Sequence, residues 1–421
     1  MINILNKKNI LIITLIIIGL ITAAVLLCTN TTKQIKNENY EESFTGVNYE
    51  SELENLPELS AKHCIVTEYE SNRILYEKNA FNKSAMASTT KIMTALIVIE
   101  ECNMTDIVTV SKTASAIGGS EINLKTGEEI SVENLLYGLL LESGNDAAIA
   151  LAEHTADSIE EFCILMNKKA KNLGAQNTNF TSPHGLDNEN HFTTAYDLSI
   201  ITKEALKNEI FRKIISTKTY TAGNRHFVNT NALLGTVDGV DGVKTGFTNN
   251  AGRCIVLTAE RSGMRIIVVL FGCPDSLNRT IDGKRIIECI FENYKIYDVL
   301  PQSIKLGSLD TKKSKTEPSE LVTNESVRLP LTENEYKNLS YSAEIFNNVY
   351  SVDINNAQNN NIEIFINKNS YKNSVCGYLF VKSGNKTIYK TAIAQSSDVI
   401  KKTYKDYLMN VLNEFAYFLS E

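Results

Sequence analysis

Three things are scarce or missing in this chain, and each closes off a class of function. It has no surplus of basic charge: the formal net charge is −7, which leaves nothing to neutralise the phosphates of a nucleic-acid partner. Its eight cysteines (Cys28, Cys64, Cys102, Cys163, Cys254, Cys273, Cys289, Cys376) include no C-x-x-C and form no disulfide framework. Its five histidines show no H-E-x-x-H or other paired spacing, so neither a metal nor a cofactor is expected. Buried free thiols are the reading for the cysteines.

The chain holds 421 residues, 43% of them hydrophobic, enough for two folded domains with appendages. Lys7 and Lys8 precede an uncharged apolar run from Ile10 to Leu27. As a helix at about 1.5 Å per residue it would measure about 27 Å, close to the thickness of a hydrocarbon core. Acidic Glu38, Glu41 and Glu42 follow, so the remainder is expected to be exported. Small residues Thr22, Ala23 and Ala24 leave a cleaved signal peptide open beside an uncleaved anchor. Residues 1–29 are therefore read as the signal or anchor, and polar, acidic residues 30–57 as a linker.

Alternation from Cys64 to Tyr76, broken at Ser71-Asn72, predicts a hairpin. Lys91 to Glu100 is apolar nearly all round and predicts a buried helix. Val132–Leu141, Asp146–His154 and Phe162–Leu173 predict three more helices, the last ended by Gly174. Three antiparallel strands are expected over Val243–Phe247, Arg253–Glu260 and Arg265–Phe271, then a helix from Asn278 to Tyr294. The fold class is α+β over residues 58–297, helices around an antiparallel sheet. Residues 298–395 are expected to form a smaller all-β domain. Residues 396–421 form an amphipathic helix: Ile400, Tyr404, Leu408, Val411 and Phe415 repeat at i+3/i+4, with Lys401, Lys402 and Lys405 opposite. Such a basic amphipathic helix can lie on a membrane surface.

Three short patterns carry the chemistry: Ser88-Thr89-Thr90-Lys91, Ser143-Gly144-Asn145 and Lys244-Thr245-Gly246. Each alone is weak, because Ser383-Gly384-Asn385-Lys386 and Lys125-Thr126-Gly127 repeat them. Context separates the copies. Ser88 and Lys91 stand where a polar stretch enters the buried helix, and an i, i+3 spacing puts both on one face. A serine needs a base, and a lysine stripped of water can lose its proton near neutral pH. Ser383 falls in a turn between strands, and Lys125 in a polar turn ahead of two glutamates.

Triplets of this kind occur in β-lactamases and penicillin-binding proteins. The segment from about Leu59 to Tyr294 resembles the low-molecular-weight penicillin-binding proteins that act as serine D-alanyl-D-alanine carboxypeptidases. Further support comes from Ser143-Gly144-Asn145-Asp146-Ala147-Ala148, Pro183-His184-Gly185-Leu186-Asp187, Thr194-Ala195-Tyr196-Asp197-Leu198 and Val240-Asp241-Gly242-Val243 ahead of the K-T-G. The resemblance implies a DD-peptidase/β-lactamase-like catalytic domain at the outer face of a bacterial cytoplasmic membrane. Its substrates would be peptidoglycan stem peptides and its inhibitors β-lactams. It further implies Ser88 as nucleophile, Lys91 as base and Ser143 as proton relay. Asn145 would position Lys91 and the substrate amide, and Lys244 and Thr245 would bind the terminal carboxylate. Gly246 and Phe247 would border the substrate, with backbone N–H groups of Ser88 and Phe247 as oxyanion hole. Some family members carry arginine where Thr230 stands here. His184 and His191, in a polar loop, are read as solvated. Two other functions compete: a class A-like β-lactamase, against which Gly144 stands where those enzymes have aspartate, and a catalytically inactive wall-binding scaffold.

Overall fold

A computed structural model of the chain describes residues 56–301, 304–311, 314–323, 326–354, 362–366 and 369–420, with side chains to Asn413. The expected signal or anchor and nearly all of the linker lie outside the described residues.

The early hairpin forms as β1 (His63–Glu68) and β2 (Ile74–Lys78). The late strands are β3 (Val240–Thr248), β4 (Gly252–Arg261) and β5 (Met264–Cys273). They join one antiparallel sheet in the order β2-β1-β5-β4-β3, so the hairpin docks on β5 across some two hundred residues of chain. Glycines at the turns adopt the left-handed backbone those turns need, as at Gly263 (φ 76). β3 is an edge strand of this sheet.

One face of the sheet is covered by helices: α1 (Lys91–Glu101), α2 (Val132–Leu141), α3 (Asn145–Thr155), α4 (Ile159–Asn172), α5 (Ala195–Leu206) and α6 (Glu209–Ile215). The first of these is buried from Lys91 to Ile99, so its apolar sequence is that of a central helix. Local chemistry fixes the starts of four of the others, α2, α4, α5 and α6. Ser131, Ser158 and Thr194 each accept a hydrogen bond from a first-turn backbone N–H, and Asn208 accepts two. The two helices α5 and α6 have no counterpart among the expected elements. The opposite face packs α7 (Ser276–Asn293) against Ile255, Leu257, Ile266 and Val268.

Farther along, β6 (Lys295–Leu300) pairs with β9 (Val327–Leu331). The remaining strands are β7 (Lys305–Thr311), β8 (Ser319–Thr323), β10 (Leu339–Ile345), β11 (Asn348–Val352), β12 (Ile362–Ile366), β13 (Val375–Ser383) and β14 (Lys386–Gln395). They build one seven-stranded sheet in the order β11-β10-β13-β14-β8-β7-β12, with a core of its own. Among the described residues one short helix, Glu333–Lys337, interrupts this β-rich part, against the expectation of strands alone. Its Glu335 side chain is buried and pairs with Arg73 of the β1–β2 turn, whose guanidinium also reaches the Pro330 carbonyl. The last helix, α8 (Tyr404–Ser420), carries Tyr404, Met409, Val411 and Leu412 exposed. No described helix is long and apolar enough to cross a membrane. The fold class expected from sequence, helices around an antiparallel sheet followed by a β-rich part, is the one observed.

Candidate active site

Ser88 does not stand in the first α turn, as its spacing to Lys91 implied, but in a 3-10 turn (Ala87–Thr90) leading into α1. A 3-10 turn eclipses residues i and i+3, which aligns Ser88 and Lys91 more closely than an α turn does. The Lys91 Nζ lies 3.0 Å from Ser88 Oγ, 2.8 Å from Asn145 Oδ1 and 2.8 Å from the His184 carbonyl. A neutral amine has two N–H groups and one lone pair. The two carbonyl-type oxygens accept the two N–H groups, so the lone pair is left facing the Ser88 hydroxyl. Lys91 is wholly buried, and burial, followed by the positive charge of Lys244, holds its pKa well below the ordinary lysine value. Asp146 pulls the other way and does not prevail.

Ser143, buried with a left-handed backbone (φ 67), ends the turn between α2 and α3, and Asn145 opens α3. The Asn145 amide is oriented from behind: its Nδ2 donates to the Gly118 carbonyl at 2.8 Å, which leaves Oδ1 for Lys91. Asp146 then fastens the neighbouring loop, accepting the backbone N–H of Ile122 and Leu124 at 3.0 Å.

The third motif arrives on β3. Alternation along the strand sends Lys244 and Gly246 toward the helices, while Thr245 meets Thr230, whose backbone N–H donates to the Leu141 carbonyl at the end of α2. Gly246 lies against the Ala87–Thr90 turn so tightly that a Cβ there would sit 3.0 Å from the Ser88 nitrogen and 3.2 Å from that of Thr89. Lys244 is buried, donates to the Thr245 carbonyl at 3.0 Å, and is pushed down to about 7 by burial and then by the charge of Arg279. The Thr245 hydroxyl shares a 2.7 Å hydrogen bond with that of Thr230. Phe247 is exposed at the rim under the Arg253 guanidinium, 3.9 Å from its ring centroid.

All eight residues picked from sequence thus fall on the elements that meet at one cleft. The decoys lie elsewhere: Lys125-Thr126 is an exposed turn, and Ser383 ends β13. Ser383 is itself buried.

The two histidines correct the sequence reading. His191 is 3% exposed and hydrogen-bonds Thr90 Oγ1, and His184 lends its carbonyl to Lys91. Burial, more than any charge, drives both rings down to about 4; His191 is therefore not a solvated loop histidine, and His184 is half-buried. Arg279, in the first turn of α7, was also missed. It is nine-tenths buried, its Nε has no partner among the described residues, and the like charge of Arg253 adds to burial in lowering its pKa. Nothing local in the sequence marks His191 or Arg279, since both owe their setting to tertiary contacts.

Residues 50–275, more than half of the chain, match the D-alanyl-D-alanine carboxypeptidase family. The chain belongs to that family. The D-alanyl-D-alanine carboxypeptidase DacF of Bacillus subtilis is 33% identical over 368 residues, spanning 85% of this chain and 90% of its own length. DacA of Haemophilus influenzae is 34% identical over 60% of this chain and 71% of its own. Among solved structures, penicillin binding protein 5 of Haemophilus influenzae superposes with a TM-score of 0.71 at 28% identity, over 82% of this chain and 99% of its own. A carboxypeptidase of this family accounts for both halves of the described fold.

Proposed function

We propose that Ser88, Lys91 and Ser143 are the catalytic residues of a serine-type D-Ala-D-Ala carboxypeptidase that removes the terminal D-alanine from peptidoglycan pentapeptide stems. The observation that carries this reading is the wholly buried Lys91 Nζ 3.0 Å from Ser88 Oγ, with Asn145 Oδ1 and the His184 carbonyl as its other two partners. Ser88 Oγ attacks the carbonyl carbon between the two D-alanines while its proton passes to Lys91 Nζ. The negative charge that develops on the carbonyl oxygen is taken by the backbone N–H groups of Ser88 and Phe247. The intermediate collapses, Ser143 relays a proton to the departing amine, and D-alanine leaves. Water then cleaves the ester and returns the proton to Ser88. β-Lactams enter the same sequence and stall at the ester, which makes them inhibitors.

Asn145 holds Lys91 and the substrate amide. Lys244, Thr245 and Gly246 line the carboxylate end, and Phe247 borders the acyl side. Where some family members have arginine, Thr230 offers only a hydroxyl, and Arg279 supplies a second positive charge near Lys244. An anion there relieves the mutual repulsion of these cations.

Residues 58–297 form the catalytic domain and 298–395 the β domain, the Arg73–Glu335 pair fastening one to the other. The apolar run of residues 10–27 directs export, and the exposed apolar side chains of α8 meet the outer face of the cytoplasmic membrane. The test of the activity is release of D-alanine from diacetyl-Lys-D-Ala-D-Ala by the purified chain, blocked by benzylpenicillin. Rapid turnover of nitrocefin instead would favour a β-lactamase, and neither reaction a scaffold.

A further inference from the structure

The turn that aims Ser88 is not one its own residues prefer. Ala87 has a left-handed backbone (φ 49), which costs an alanine about 1 kcal/mol or more. It is buried, and Gly185 presses on it so closely that a Cβ there would lie 2.0 Å from the Ala87 carbonyl oxygen. Something outside the turn must hold that carbonyl in place.

The Ala87 carbonyl accepts the Thr90 hydroxyl at 2.8 Å. Thr90 has one hydroxyl proton, so toward His191 Nε2, 2.8 Å away, its oxygen can only accept. Nε2 therefore carries the ring proton. The other ring nitrogen, Nδ1, accepts the backbone N–H of Thr181 at 3.0 Å. Both nitrogens are committed and the network admits one neutral tautomer. Burial, which drives the ring down to about 4, keeps it in that form at neutral pH. The loop that brings His191 here is itself stitched to α1, because Pro183 and His184 accept from Thr94 Oγ1 and Lys91 Nζ.

We infer that His191 is the positioning residue of the nucleophile turn: through Nε2–H, Thr90 Oγ1–H and the Ala87 carbonyl it fixes the left-handed peptide that sets Ser88 against Lys91. It touches neither substrate nor the reacting atoms. The inference rests on the reading of Ser88 as nucleophile.

The test follows acylation of the full chain by fluorescent penicillin, separating the dissociation constant from the acylation rate constant. In His191→Ala the rate constant falls about tenfold or more, as a misaimed nucleophile requires, while the dissociation constant stays within about twofold. His191→Gln, whose amide keeps one donor and one acceptor, recovers most of the rate. Thr90→Val keeps the shape, removes the relay and loses as much as His191→Ala, and the double variant loses no more than either single one. A rate constant within about twofold of the parent in Thr90→Val overturns the inference, and that variant decides alone if His191→Ala does not fold. Peptide mapping of the parent adduct keeps the two readings apart. An adduct away from Ser88 sinks the proposed function; an adduct on Ser88 with undiminished acylation in Thr90→Val sinks only the role of His191.

Discussion

The chain carries the S-x-x-K pattern twice, and the two copies share their letters and little else. Ser88 and Lys91 are eclipsed on a 3-10 turn that opens a central helix, with the lysine wholly buried. Ser383 and Lys386 face each other across the β13–β14 turn, where Gly384 takes the left-handed backbone and the lysine keeps partial contact with solvent. Burial of the serine does not separate them, for Ser383 is buried too. What separates them is the lysine. Lys91 is stripped of water and held by the Asn145 Oδ1 and the His184 carbonyl, whereas Lys386 keeps its contact with solvent. The two K-T-G copies differ in the same way: Lys244 is 1% exposed beneath the site, and Lys125 stands in solvent. A motif is chemistry only where the fold has dried its cation.

The contrast breaks first at the serines. Ser88→Ala abolishes labelling by fluorescent penicillin, and Ser383→Ala leaves it within about twofold, since the lysine across from Ser383 keeps its contact with solvent. Equal losses would erase the distinction.

Burial also ranks the ion pairs. Arg73–Glu335 has both side chains almost fully covered, whereas Lys305–Glu320 is more than half exposed on each side. Arg73→Ala takes the guanidinium from the buried Glu335, which keeps the Thr332 backbone N–H, and costs about 3–5 kcal/mol in thermal or denaturant unfolding. Lys305→Ala costs less than about 1 kcal/mol in the same measurement.

Gly246→Ala pushes a methyl group onto the Ser88 and Thr89 nitrogens and lowers acylation about tenfold or more, read by stopped-flow labelling. Lys125→Ala, in the second K-T-G, leaves the rate unchanged.

The smallest effect is in pH. Lys244 is pushed down to about 7, so its ammonium is present below that pH and lost above it. Binding of the terminal carboxylate weakens accordingly, and KM for the D-Ala-D-Ala peptide rises as pH climbs through about 7. Arg279→Ala removes the main repelling charge and moves that rise to higher pH.

Much of this was legible in the chain itself. The helix Val132–Leu141 ends where its apolar run ends, and the turns at Asn249-Asn250 and Ser262-Gly263 separate the late strands as turn chemistry requires. The hairpin β1–β2 is local and readable, but its pairing with β5 is a contact between distant segments that no periodicity encodes. Helices α5 and α6 were overlooked although Thr194 and Asn208 announce their starts as N-caps. His191 could not have been found at all from its neighbours, because its meaning lies in Thr90, 101 residues earlier. Arg279 is the same case: a charge on a helix start looks solvated until the sheet beside it is in place.

The central claim is that Ser88, made nucleophilic by a buried and neutral Lys91, forms the acyl-enzyme. Mass spectrometry of the purified chain after penicillin treatment, followed by peptide mapping, tests it directly. One penicilloyl group on the peptide containing Ser88 is the predicted result. An adduct on the Ser383 peptide, or none at all in protein that is folded, contradicts the account.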